Sequence, residues 1–76
     1  MIPLYELNTG KAAIVRHVEG GPEFQRRLAS LGIRAGKTLR KITSEPLRGP
    51  IIVEVDGARV AIGRGMAMKV FVVVNN

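Results

Sequence analysis

Seventy-six residues, with twelve Lys or Arg against six Asp or Glu and no cysteine, bound the problem before any motif is sought. One domain spanning 1–76 is expected, with a single modest core and no deep cleft, which argues against an enzyme. The missing thiols exclude disulfides and Cys-based zinc or iron–sulfur sites, and the net charge of +6 favours an acidic partner.

Met1 to Glu6 holds no basic stretch followed by an apolar run, so no secretory leader is expected. Thr9-Gly10 reads as a turn, and Lys11 to Val18 follows as a first strand. Regular alternation puts Ile14, Arg16 and Val18 on one face and Ala13, Val15 and His17 on the other. Gly20-Gly21 ends it. Pro22 suits a first helical position, and Phe24, Leu28 and Leu31 recur at i, i+4 and i+7 along one stripe. Gly32 follows as a C-terminal cap, so a short helix over about 22–31 is predicted. Such a helix is too short to stand alone and must pack on a sheet.

Arg34-Ala35-Gly36 is a further turn leading into a strand over Lys37 to Thr43. There Leu39 and Ile42 fall on opposite faces of a regular strand, which predicts a bulge or bend. Ser44 to Pro50 reads as a polar loop. Ile51 to Val55 and Arg59 to Ile62 are strands joined through Asp56-Gly57, a two-residue hairpin signal. Gly63 to Met68 is irregular or one helical turn, and Lys69 to Val74 is a final Val-rich strand. Its run from Val70 to Val74 is too short to span a bilayer. The whole reads as mostly β, a small five- to six-stranded barrel with one short α-helix, closure of the sheet hiding the edges that such a strand would expose. The expected core is Ile14, Phe24, Leu28, Leu31, Leu39, Val53, Val55, Val60, Ile62, Val70 and Val72.

Chemistry is sparse. His17 is the only histidine and Ser30 and Ser44 the only serines, so no catalytic residue is assigned. His17 and Glu19, two apart on an extended segment with Glu23 close behind, are weak metal candidates. They are read first as surface residues, because a structural site needs four ligands. Thr9-Gly10-Lys11 lacks the earlier glycine of a phosphate loop, since Tyr5 stands there, and Gly63-Arg64-Gly65 lacks a third glycine and a following helix. No cofactor is implied. A basic barrel that binds nucleic acid is the rival reading, along with a metal-responsive regulatory module. Nucleic acid is not the expected partner, because single-strand binders stack bases on aromatics. Of the three aromatics, Phe24 and Phe71 fall on apolar elements and leave Tyr5 alone.

The pattern Leu4, Leu7, Gly10, Ala13, Ile14, then Gly20-Gly21, then Arg27-Leu28 with Leu31-Gly32-Ile33 and Gly36, resembles the FeoA family. It continues through Gly49-Pro50-Ile51, Val53, Val55, Gly57, Val60-Ala61-Ile62, Ala67, Val70 and Val72, essentially the whole chain. Its most specific piece is Arg-Leu-x-x-Leu-Gly-Ile-x-x-Gly. Two departures stand out: Ala35 where the family often has proline, and Ala61-Ile62-Gly63 followed by Arg64-Gly65-Met66 where an Ala-Leu-Arg stretch is common. The resemblance implies an SH3-like barrel and a non-enzymatic, cytoplasmic accessory of bacterial ferrous-iron uptake. Its implied partner is the cytosolic part of the membrane transporter FeoB.

On a wheel centred on the helical stripe, Arg26 points away from the core and Arg27 lies on the flank, four residues after Glu23. With Arg34, Lys37, Arg40 and Lys41 they are expected to form a basic surface that docks an acidic face of that partner. Direct membrane insertion is not expected. A weak homo-oligomer through the last strand and Met66/Met68 is a secondary expectation, set against these side chains completing the core.

Overall fold

Hydrophobic alternation in this chain resolves into six antiparallel strands of one sheet in a computed structural model, which describes residues 1–44 and 49–74. The strands are β1 (Ile2–Pro3), β2 (Ala12–Val18), β3 (Thr38–Ser44), β4 (Ile51–Val55), β5 (Ala58–Ile62) and β6 (Val70–Val74). Their order is β1-β6-β2-β3-β4-β5, curled into the small SH3-like barrel that the sequence pattern led us to expect. Helix α1 (Pro22–Ser30) follows β2, a single turn α2 (Arg64–Ala67) follows β5, and a 3₁₀ turn over Leu4–Glu6 follows β1. Residues 45–48 of the expected polar loop lie outside the described residues.

The β4–β5 hairpin forms as its sequence requires. Asp56 and Gly57 adopt φ of 52° and 78°, the paired left-handed values of a tight turn whose twist matches the strands it joins. Val55 pairs with Ala58, Val53 with Val60 and Ile51 with Ile62, so Ile51, Val53 and Val55 all face inward and are buried.

Two strands depart from simple alternation. In β2 the register against β6 shifts between Val15 and His17, so Ala13 and Val15 are buried, Arg16 and His17 both face solvent, and Val18 is buried again. The regular two-face reading of this strand is therefore wrong on both sides, and Ile14, expected in the core, is only half-buried. In β3 the predicted irregularity is present, as a register shift against β4 between Lys41 and Thr43.

Helix α1 begins with Pro22 at its first turn and ends at Leu31. Gly32, at φ 90°, donates its N–H to the carbonyl of Ala29 while Ile33 donates to that of Leu28, each at 2.9 Å. This pair of bonds is a Schellman exit, and its usual apolar contact falls on Leu28 and Ile33, both fully buried. A Cβ on Gly32 would lie 3.3 Å from the Asp56 carboxylate and would also strain the backbone. The exit corrects another expectation. Leu31 falls where the chain leaves the helix and is 39% exposed, and Ile33 takes the inward place. Phe24 and Val60 pack on the core from its margin, while Leu4, Leu7, Ala13, Val15, Val18, Ile33, Ile51 and Ala67 belong to it as well.

Edge strands β1 and β5 have no ladder between them among the described residues. Side chains bridge the gap instead. Arg64 of α2 donates from Nη2 to the Tyr5 hydroxyl at 2.8 Å and lies over the same ring, 5.1 Å from its centre. Beneath, Lys41 is buried, only 4% exposed, and its ammonium donates to the carbonyls of Tyr5 (2.9 Å) and Leu7 (2.7 Å). The backbone of Lys41 also holds this segment, accepting from Gly10 N–H and donating to the Lys11 carbonyl. Met66 packs against the core and Met68 remains 47% exposed.

Burial pushes the Lys41 ammonium below its ordinary pKa, and the neighbouring Tyr5 opposes that shift. Between the lowered folded value and the ordinary value near 10.5, the unfolded chain holds the proton and the folded one does not. Stability contributed at this position therefore rises with pH across that window.

Two predictions follow from the packing. Leu28→Ala should destabilise by about 2–5 kcal/mol, whereas Leu31→Ala should change stability by no more than about 0.5 kcal/mol; urea denaturation of the pair checks this, and equal losses would contradict the helix exit. Lys41→Met should lose about 2 kcal/mol or more at neutral pH, because two enclosed carbonyls lose their donor. The gap from the parent should widen as pH rises toward 10.5, and a narrowing gap in pH-dependent denaturation would contradict the burial of the charge.

Candidate functional site

The bulge in β2 is what makes a site. By placing Arg16 and His17 consecutively on the outside, it puts two polar side chains where a regular strand would show one. The chain after α1 then returns alongside them: Gly36 N–H donates to the Val15 carbonyl and Val15 N–H to the Lys37 carbonyl, each at 2.8 Å. These bonds bring the turn carrying Arg34 against β2. Between that turn, β2 and the flank of α1 lies a groove of about 280 Å³. Arg16, His17, Gln25 and Arg34 supply its polar lining, and Val18, Ala29, Ile33 and Ala35 its apolar lining.

No carboxylate lines this groove. Among the described residues neither Arg16 nor Arg34 has a side-chain hydrogen bond or an ion pair, the one ion pair being Lys37 with Asp56. Gln25 donates through Nε2 to the Gly20 carbonyl at 2.9 Å, which fixes its amide and leaves the oxygen as its other polar group. The His17 ring leans on Phe71, 6.0 Å between centres at 33°. The site is thus a shallow basic rim over a small apolar floor, suited to holding a carboxylate or phosphate beside an apolar group. It holds no nucleophile–base pair.

On the other flank of α1, Glu23, Arg26, Arg27 and Ser30 line a second, more open recess. Ser30 donates its hydroxyl back to the Arg27 carbonyl at 2.7 Å. Glu23 and Arg27 share this recess without an ion pair.

The six basic residues expected on one surface are therefore dispersed. Arg26 and Arg27 stay exposed together, and Arg34 is exposed in the groove across the helix. Lys37 is held by Asp56 at 2.6 Å, and Arg40 donates to the Gly10 carbonyl at 2.7 Å. Lys41 is on no surface at all; the alternation that buries Leu39 buries it too. That signal, two residues on from Leu39, was readable in the sequence. Arg16 is the residue that sequence reasoning missed, and its cue is weaker: two apolar positions three apart, Val15 and Val18, bracketing two polar ones.

His17 and Glu19, the weak metal candidates, are both exposed, and the Glu19 N–H donates to the Lys69 carbonyl. Among the described residues no three His, Asp or Glu side chains gather closely enough to hold an ion.

Comparison with known proteins places this architecture. The profile of the FeoA domain matches residues 2–74. A putative Fe(2+) transport protein A of Methanocaldococcus jannaschii is 39% identical over 72 residues, covering 95% of this chain and 85% of that protein. In Porphyromonas gingivalis, a fusion of Fe(2+) transport protein A with the Fe(2+) transporter FeoB is 35% identical over 67 residues, which are 88% of this chain and 8% of the fusion. Among solved structures, the crystal structure of an iron uptake regulatory protein, FeoA, superposes with a TM-score of 0.91 at 39% identity, covering 97% of each chain.

Proposed function

The chain belongs to the FeoA family, which is involved in Fe(2+) transport, and from that premise we propose that it is a non-enzymatic accessory that binds the cytosolic part of an FeoB-type transporter. The observation that carries this reading is the Porphyromonas gingivalis fusion, in which a region similar to this chain and the transporter form one polypeptide. A covalent link raises the effective concentration of two units for each other, an advantage only where the units meet.

The chemistry of the chain supports binding over catalysis. Both recesses are open, and Lys41, whose proton affinity burial lowers, is enclosed with its ammonium committed to backbone carbonyls. The described residues contain no helix long and apolar enough to cross a membrane, and the reading seats the protein on the transporter's cytosolic side. Its docking face comprises Arg26 and Arg27 on the outward side of α1 and Arg34 beyond the helix exit, which meet an acidic surface of the transporter. The net charge of +6 supports that complementarity and speeds encounter with an acidic partner. Nucleic acid is the weaker reading, because Lys37, Arg40, Lys41 and Arg64 are each engaged within the fold rather than offered to phosphates.

Tagged protein incubated with bacterial membranes, with and without nuclease and with and without a GTP analogue, should retain FeoB whether or not nuclease is present. The variant Arg26→Glu/Arg34→Glu should retain less FeoB, with a shallower salt dependence and an unchanged melting temperature, since exposed charges add little to stability. Recovery of nuclease-sensitive nucleic acid in place of FeoB would overturn the reading, and undiminished retention by the double variant would move the docking face elsewhere.

A further inference from the structure

The groove between β2 and α1 combines features that the outward recess of the helix does not. Its charged groups are Arg16 and Arg34, brought together from different elements by the bulge at one side and the Val15–Lys37 and Gly36–Val15 bonds at the other. Both guanidiniums lack a described partner, and no carboxylate lines the space between the elements that carry them. Its floor is aliphatic: Ala29 of the helix and Ala35 of the turn beyond it are accessible, over a fully buried Ile33. The outward recess, by contrast, already contains Glu23 beside its arginines and has no apolar lining residue.

Two unpaired guanidiniums over an aliphatic floor define a ligand with two requirements. It must offer carboxylates or phosphates, which arginine holds through paired N–H donors, and it must offer an apolar side chain small enough for about 280 Å³. Nucleic acid meets the first requirement through phosphate but not the second, because the one aromatic ring lining the groove is the His17 imidazole, which already leans on Phe71. A short peptide with acidic residues flanking an aliphatic one meets both.

We infer that the groove between β2 and α1 is a docking site for an acidic peptide segment, whose carboxylates bind Arg16 and Arg34 while an aliphatic side chain rests on Ala29 and Ala35. The inference rests on the transporter-binding reading only for the owner of that segment. Arg26 and Arg27 then act at the margin, steering the partner, while the groove fixes its register.

A synthetic peptide pool tests this without the transporter, so its outcome and that of the membrane experiment are independent. Fluorescein-labelled decapeptides carrying a central Leu or Ile between Asp and Glu residues are titrated into the purified protein. A pool with Ser at the centre and a ten-nucleotide oligothymidine are the controls. The Leu/Ile pool should bind saturably and more tightly than the Ser pool. Arg16→Glu should weaken it by at least about tenfold, as expected where a charge-assisted contact is replaced by a like charge. Amide shifts in the parent should centre on Arg16, His17, Ala29, Ile33 and Arg34, a readout that needs no variant to fold. Arg16→Gln gives a milder check with the same direction. The inference is overturned by absence of saturable binding, by equal binding of the Ser pool or the oligonucleotide, or by an Arg16→Glu protein that binds like the parent.

Discussion

A single buried ammonium ties the N-terminal segment of this barrel to its central strand β3. The sheet begins with a two-residue strand and ends its spatial order at β5, and no backbone ladder joins those edges among the described residues. Closure falls to Lys41, which ties down the carbonyls of Tyr5 and Leu7, and to Arg64, which reaches the Tyr5 hydroxyl from the far edge. With the Tyr5 and Leu7 carbonyls so satisfied, and that of Leu4 accepting from the Leu7 N–H, Leu4 and Leu7 can join the core at 0% and 2% exposure. Removing a cation from water is unfavourable, and the lowered proton affinity of Lys41 is the sign of it. Leaving two enclosed carbonyls without a donor would be worse, because each would lose water without gaining a partner.

The same economy of local devices produces the site. One extra residue in β2 turns Arg16 and His17 outward and returns Val18 to the core. A Schellman exit ends α1 in time for Ile33 to replace Leu31 against Leu28 and for Arg34 to turn toward β2. Neither feature is needed to make a barrel of this size. Together they place two arginines from separate elements in one groove, while Lys37, Arg40, Lys41 and Arg64 are engaged within the fold and Arg26 and Arg27 lie on the other flank of the helix. A net charge of +6 thus overstates how much positive surface is available for a partner.

Much of the fold was legible because local rules agreed with it. Pro22, the Phe24–Leu28 spacing and Gly32 delimited α1 to within a residue, and Asp56-Gly57 marked its hairpin. The family, too, was readable from the Arg27-Leu28 to Gly36 stretch. What escaped was whatever depended on register. The face of β2 was misread because a bulge inverts alternation for every residue beyond it, and nothing in Arg16-His17 alone says which residue is extra. Lys41 was assigned to the surface because lysine is rarely buried, although its position two beyond Leu39 argued otherwise. The N-terminal 3₁₀ turn had no pattern to show, as its stability comes from a lysine distant in sequence.

Native-state hydrogen exchange on Lys41→Met tests most directly whether that lysine closes the barrel. The account predicts that the amides of Leu7 and Gly10, and those pairing β1 with β6, exchange at least about tenfold faster in the variant, while those of α1 and the β4–β5 hairpin keep most of their protection. Protection lost evenly across the whole domain, or an unchanged Leu7 amide, would contradict it.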